Sequence, residues 1–280
     1  MVALIGFFDN FAVMRVFSLL GLVALVTVLL QGCFQTHPYD TDFGGETDIN
    51  RHHIIEIESA CAAKSSVKVA VISDSHCWYS DLRDAVSDIN AKGDVDFVVH
   101  CGDLSDTGTT KEFVWAREEL DELKPPYVAL IGNHDFLGTG DAVYEAMFGE
   151  VDFSFIAARV KFVALNTNAT EYDYMAAVPN FDFMESEMTK DREKFDRTIV
   201  LMHAPPYSDQ FNNNVVKSFQ RYVRFFPGVM FCVAGHCHEQ SVTDIYNDGL
   251  LYFGVDCISH RNYYLFTITP EGYSYELVVF

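Results

Sequence analysis

Apolar residues along this chain fall into short runs that alternate with amphipathic stretches. VKVAVIS (67–73) is rich in β-branched residues and reads as a buried strand. A polar helix follows over Ser80 to Lys92, then a second strand over DFVVHC (96–101). Glu112 to Leu123 predicts a helix, ended by Lys124-Pro125-Pro126, and YVALIG (127–132) a third strand. FVALN (162–166) and TIVLMH (198–203) give two more, separated by a helix over Phe183 to Phe195. A helix over Val215 to Phe225 leads into VMFCVAG (229–235). The remainder is all strand: Ser241 to Tyr246, Leu250 to Val255, Tyr264 to Ile268 and Tyr273 to Val279. Alternating strand and helix followed by strands alone predicts a mixed α/β domain with two sheets. No linker interrupts Val67 to Phe280, so these residues form one domain.

The upstream region has a different texture. Val16 to Leu30 is fifteen residues without a charge, preceded by Arg15. A membrane span needs about 20 apolar residues, so the run fits the core of a signal peptide better. Met14-Arg15 reads as the natural start, with Met1 to Val13 an over-extended beginning. The run closes on Leu30-Gln31-Gly32-Cys33, which resembles the lipobox of bacterial lipoproteins. The resemblance implies cleavage before Cys33, lipidation of that cysteine, and attachment to the cell envelope outside the cytoplasm. An ordinary signal peptide or an uncleaved anchor are the alternatives. Residues 1–32 are then a signal peptide, 33–66 a tether with a helix (Ile54, Ile57 and Cys61 at helical spacing), and 67–280 the functional domain.

Composition narrows the function. Hydrophobic residues make up 49% of the 280, too many for a disordered acidic chain. Lys plus Arg total 19 and Asp plus Glu 40, a net charge of 19 − 40 = −21. Such a chain repels nucleic-acid polymers. It handles phosphate only where something local reverses the field. Beyond Cys33 the cysteines are Cys61, Cys77, Cys101, Cys232, Cys237 and Cys257. An even number in an exported chain invites disulfides, but Cys101 and Cys232 close apolar runs and read as buried hydrophobes.

Polar residues gather just past the strands, where open α/β sheets build their sites. These are Asp74-Ser75-His76, then Gly102-Asp103-Leu104-Ser105-Asp106, then Gly132-Asn133-His134-Asp135. Later come His203-Ala204-Pro205-Pro206 and Gly235-His236-Cys237-His238. Five of the ten histidines lie at these ends. Asp, Asn and His suit Mn, Fe, Zn or Mg. In an extended segment residues i and i+2 share a face, which pairs Asp74 with His76 and His236 with His238. Gly102, Gly132 and Gly235 precede ligands where the backbone must turn or approach a neighbour.

The series Asp-x-His, Gly-Asp-x-x-Asp, Gly-Asn-His-Asp, His and Gly-His-x-His resembles the calcineurin-like metallophosphoesterase superfamily, over roughly Val67 to Tyr246. The resemblance implies a two-sheet β-sandwich flanked by helices, in four α/β/β/α layers. It implies two divalent ions: one held by Asp74, His76 and His238, the other by Asn133, His203 and His236, with Asp103 bridging. It places His134 at the phosphoryl oxygens or the leaving group and makes Asp106 the carboxylate that orients it. The implied reaction is hydrolysis of a small phosphate ester by in-line attack of a metal-bridging hydroxide. A cyclic-nucleotide or other nucleotide phosphodiesterase is the alternative, and a non-catalytic metal-binding scaffold a further one. Asp106 stands where purple acid phosphatases carry a tyrosinate, so an Fe(III) centre of that type is not implied. Trp78 and Tyr79, directly after His76, read either as stacking partners for a base or aromatic leaving group or as cover for the sheet edge. His100 reads as a packed core residue.

Overall fold

A computed structural model describes residues 16, 18–23, 25–26, 37–172 and 175–280. Met14, Arg15 and Cys33 lie outside the described residues. Two units can be told apart, Met1–Asp40 and Thr41–Phe280. In the first, residues 18–23 are helical, with Leu19 and Leu20 exposed. Among the described residues no helix is long and apolar enough to cross a membrane.

The second unit holds two sheets. In one, β1 (Val67–Ile72), β2 (Phe97–His100) and β3 (Tyr127–Ala129) run parallel, and β10 (Asn262–Thr269) and β11 (Gly272–Val279) extend it antiparallel. Its strand order is β11-β10-β1-β2-β3. The other sheet runs β4 (Phe153–Ala157), β5 (Val160–Leu165), β6 (Arg197–Met202), β7 (Val229–Ala234), β9 (Leu251–Gly254) and β8 (Ser241–Thr243). Its four inner strands are parallel and its two outer strands antiparallel to their neighbours.

Alternating side chains of each strand feed different layers. Val69 and Val71 of β1 face the other sheet, packed with Phe97, Phe162, Phe231 and Phe266. Ala70 and Ile72 face outward, onto Leu82 and Ile89 of α2 (Tyr79–Lys92), Phe113 of α3 (Thr110–Leu120) and Tyr144 of α4 (Gly140–Phe148). The second sheet repeats this, with Val163 and Leu165 against Met184 of α5 (Phe181–Thr189) and Phe219 of α6 (Val216–Phe225). Strands buried on both faces read as continuous apolar runs, and the four α/β/β/α layers follow. Helix α1 (Ile49–Cys61) sends Ile57 and Cys61 into the inter-sheet core. Its buried Asn50 donates to the Ala129 carbonyl at 2.8 Å and accepts from the Ala129 amide at 2.9 Å. That covers the open edge of β3, which would otherwise pair with another chain.

Helix α4 falls where no element was expected, β8 stops at Thr243 rather than Tyr246, and two further departures have a visible cause. The β4–β5 hairpin was not anticipated, because its turn residues Ala158 and Arg159 both take positive φ, 47° and 64°, without the Asn or Gly that usually marks such a turn. Helix α5 ends at Thr189 rather than at Phe195. The Lys161 ammonium, buried on β5, caps its C-terminal end: it donates to the carbonyls of Glu187 at 2.7 Å and Lys190 at 3.0 Å. Lys161 also meets the Glu187 carboxylate at 2.6 Å, and both side chains are almost wholly buried. Burial works against the charged Glu187, but Lys161, Ser154 and Lys190 outweigh it and hold its pKa below the ordinary 4.5.

Removing one partner of a buried pair leaves an uncompensated charge. Lys161→Met is expected to cost about 3–5 kcal/mol in urea unfolding, and K161M/E187L distinctly less. In the wild type this contribution is complete above the ordinary carboxylate value of 4.5 and fades as pH falls through the lower native one. A K161M/E187L chain as unstable as K161M would contradict the pairing.

Candidate metal centre

The site forms where the parallel strands of both sheets end. The segments after β1, β2 and β3 come from one sheet and those after β6 and β7 from the other. Backbone bonds knit the first three: the Asp74 amide donates to Gly102 O and the His76 amide to Asp103 O, both at 3.0 Å. His203 joins the sheets, with Nδ1 at 2.8 Å from the Cys101 carbonyl.

The ligands do not converge by the alternation of an extended strand. Asp74, His76, Asp103, His236 and His238 all have positive φ, between 43° and 71°. Asp74 and His76 thus come together through tight turns rather than through the alternation of an extended segment, and His236 and His238 fall in different groups. The chain turns sharply at these five residues, at a cost of roughly 1–3 kcal/mol each, whereas Asn133 keeps an ordinary φ of −71°. Such strain persists only where the surroundings enforce it, and it concentrates here. The glycines permit the close approaches. A Cβ on Gly132 would stand 2.1 Å from Asp103 Oδ1, and one on Gly235 2.7 Å from Asp74 Oδ2.

Two groups of ligand atoms result. In the first, Asp74 Oδ1, His76 Nε2, Asp103 Oδ2 and His238 Nε2 lie within 4.8 Å of one another. In the second, Asn133 Oδ1 is 3.0 Å from His203 Nε2 and 2.9 Å from His236 Nδ1. Asp103 Oδ2 belongs to both, 3.7 Å from His76 Nε2 and 3.3 Å from His203 Nε2. Its other oxygen accepts the His134 amide at 2.8 Å.

The donor set fits divalent cations. Cys101 O can only accept, so His203 Nδ1 carries a proton, while Nε2 faces two more oxygens, Asn133 Oδ1 and Asp103 Oδ2, an arrangement satisfied by a second proton or by a shared cation. Asp74 Oδ1 is buried without a hydrogen-bond partner. Oxygens and imidazole lone pairs facing one another are satisfied by a cation. The electrostatics agree. Burial alone would depress the His203 pKa, but Asp103 and Asp74 override it and lift it to about 9. Burial likewise opposes ionising Asp103, yet His203, His76 and His134 hold it below the usual carboxylate range. The site calls for positive charge.

The other expected residues fall as follows. His134 is half-buried, and its Nδ1 lies 2.8 Å from the Asp106 backbone carbonyl. The Asp106 carboxylate stands farther off, 3.9 Å from His134 Nδ1 and 3.6 Å from His76 Nδ1. The main chain of Asp106, rather than its carboxylate, is thus what orients His134. Trp78 is exposed beside the site, whereas Tyr79 meets Trp115 edge-on at 5.5 Å and packs on the outer core. His100 is fully buried, hydrogen-bonded to Ser75 Oγ at 3.0 Å, and burial lowers its pKa to about 4.

Sequence reasoning gave no role to Asp135, which proves to be the clamp of the site. Its wholly buried carboxylate accepts from the amides of Leu104 (3.2 Å), Ser105 (2.9 Å) and Gly132 (2.9 Å) and from Ser105 Oγ (2.8 Å). Burial and the nearby Asp103 push its pKa up to about 7, against the pull of those donors. Asp209 was also missed; it accepts from His236 Nε2 at 2.7 Å. Asp135 stands inside a run already singled out. Asp209 has no local signal, since its partner is 27 residues away.

Asp135→Ala leaves four buried donors without an acceptor and should cost about 3 kcal/mol or more in denaturant unfolding, with loss of metal binding. Asp135→Asn keeps one acceptor oxygen and should cost less. Equal stability of the alanine variant and the wild type would remove Asp135 from this role.

Comparison with known proteins agrees with the geometry. A 3′,5′-cyclic-nucleotide phosphodiesterase of Nostoc sp. is 25% identical over 155 residues, which are 52% of this chain and 57% of that protein. The 3′,5′-cyclic adenosine monophosphate phosphodiesterase CpdA of Escherichia coli is 22% identical over 246 residues, 77% of this chain and 87% of that one. In fold, the chain resembles a dimetal phosphatase from Danio rerio (TM-score 0.53, 13% identity, 76% of this chain and 98% of that one). It also resembles GAP50, the anchor in the inner membrane complex of Plasmodium (TM-score 0.55, 12% identity, 77% and 85%). Residues 67–240 match the calcineurin-like phosphoesterase family, and the chain belongs to that family.

Proposed function

We propose that this chain is a phosphoesterase that works with two divalent ions, and that phosphodiesters are its preferred substrates. The observation that carries the reading is the pair of ligand groups sharing Asp103 Oδ2. Asp74, His76 and His238 would hold one ion, and Asn133, His203 and His236 the other. When bound, such ions supply Lewis-acid activation of water and charge stabilisation on phosphoryl oxygens. The chain's own residues do the rest. Asp103 fixes the two positions relative to each other. His134 donates through Nδ1 to the Asp106 carbonyl, so it would deliver a proton from Nε2 to the departing oxygen as the imidazolium and return to the neutral Nδ1–H form.

Charge favours diesters. The segments 73–78, 101–108, 131–139, 203–214 and 235–241 contain no Lys or Arg. Asp106, Asp209 and Glu239 stand among them instead. A diester brings one negative charge and a monoester about two, so this acidic rim burdens the monoester more. The relatives named as cyclic-nucleotide phosphodiesterases support that class, and exposed Trp78 offers a face for a base. For the N-terminus, the uncharged run Val16–Leu30 and Leu30-Gln31-Gly32-Cys33 support lipidation at Cys33 and a place in the bacterial cell envelope.

Stripped protein should regain turnover when Mn, Fe, Zn or Mg is restored, with bis(p-nitrophenyl) phosphate and 3′,5′-cyclic nucleotides cleaved faster than p-nitrophenyl phosphate. Asp103→Asn and His236→Ala should lose nearly all activity while keeping the wild-type circular dichroism spectrum. Full turnover in both variants would refute the assignment, and a preference for the monoester would refute the substrate class. Mass spectrometry of the membrane fraction should find an N-terminal peptide beginning at acylated Cys33; an unmodified N-terminus upstream of it excludes the lipid anchor.

A further inference from the structure

His236 meets a different neighbour through each ring nitrogen. Nδ1 faces Asn133 Oδ1 at 2.9 Å, inside the second ligand group, and Nε2 faces Asp209 Oδ1 at 2.7 Å. Both oxygens only accept, so a neutral ring donates to one of them, and the charged Asp209 carboxylate is a stronger and nearer acceptor than the Asn133 amide oxygen; that puts the proton on Nε2 and leaves Nδ1 its lone pair. His203 is set the same way, but by the buried Cys101 carbonyl. The two histidines of one group therefore have unlike outer acceptors: a backbone carbonyl in the core, and a side chain that is 85% exposed.

Asp209 lies in the segment that follows His203. That segment is tied down by its own bonds. The Tyr207 amide donates to Asn213 Oδ1 at 3.0 Å, Asn213 Nδ2 donates to Ser208 O at 2.7 Å, and the Ala169 amide donates to Gln210 O at 2.9 Å. One loop thus delivers a ligand, His203, and also the acceptor that orients a ligand from a different strand, His236. Without an acceptor at Nε2, either tautomer and either ring flip is open to His236, and those that present N–H or carbon to an ion do not bind it.

We propose that Asp209 is a positioning residue for the metal position formed by Asn133, His203 and His236, which it serves by fixing His236 as the Nε2–H tautomer with Nδ1 toward the ion. This rests on the metal-centre reading. The group of Asp74, His76 and His238 uses neither Asp209 nor the His236 ring, so the effect belongs to one position of the pair. Outer acceptors of this kind raise ligand basicity and lock ring orientation.

Two measurements on the full chain test it, and Asp209 is exposed enough that its replacement opens no cavity. The first is a long-range 1H–15N correlation spectrum of metal-stripped protein, with the His236 signals assigned by their loss in His236→Gln. The wild type should show the Nε2–H tautomer and Asp209→Ala a mixture; a wild-type Nδ1–H tautomer overturns the proposal whatever the metals do. The second is Mn2+ and Zn2+ titration against a competing chelator. Asp209→Ala should weaken one of two ions by roughly 10–100-fold and the other by less than about twofold. Asp209→Asn keeps an acceptor oxygen and should lose less. Wild-type binding of both ions by Asp209→Ala, equal weakening of both, or Asp209→Asn falling as far as Asp209→Ala each overturns it. A wild type that binds no ion yet shows the Nε2–H tautomer overturns the metal-centre reading, and this role with it, while leaving the hydrogen bond assigned.

Discussion

The geometry of the site hangs on a single carboxylate. Asp103 must reach His76 from one sheet and His203 from the other with the same oxygen, while its second oxygen holds the His134 amide. That demand fixes much around it. The chain at Asp103 adopts a left-handed conformation, and Gly132 must lack a side chain because any Cβ would collide with the carboxylate. The strands after which these residues stand must end at the same level in both sheets. The inter-sheet core of Phe97, Phe162, Phe231 and Phe266 sets that relation, and close packing leaves little room to slide.

Strain at the ligands is held in place by buried polar contacts rather than by more apolar packing. Asp135 gathers four donors from the two loops that carry Asp103 and Asn133. His100 braces Ser75 between Asp74 and His76. A hydrogen bond in such a low-dielectric setting resists distortion, because breaking it strands a buried polar group. The ligand loops can therefore hold unfavourable backbone angles that isolated segments of the same sequence would abandon.

Charge follows the same logic. The chain carries −21 overall, and the segments that build the site add no basic side chain. No Lys or Arg of those segments supplies positive charge beside Asp74 and Asp103, which stand in a cluster that could hold a metal ion. The raised pKa of His203 and the depressed one of Asp103 are two expressions of that need. An acidic surface of this kind repels long polyanions.

The sequence by itself determined a mixed α/β domain with two sheets and the loops in which the candidate ligands stand. Apolar runs of strand length made the buried strands visible, and polar residues gathered at their ends marked the site, because burial on both faces leaves few polar groups within the strands, such as His100 and Lys161. Local chemistry was silent about the β4–β5 turn, where Ala158 and Arg159 take angles their side chains do not advertise. It was equally silent about where α5 stops, since Lys161 reaches that helix from another strand. Only the tertiary structure decided that Asp106 orients His134 through its main chain, that Asp135 clamps two loops and that Asp209 faces His236. The reason is one of range: periodicity and turn preference act over a few residues, whereas these contacts join segments brought together by the packing of two sheets.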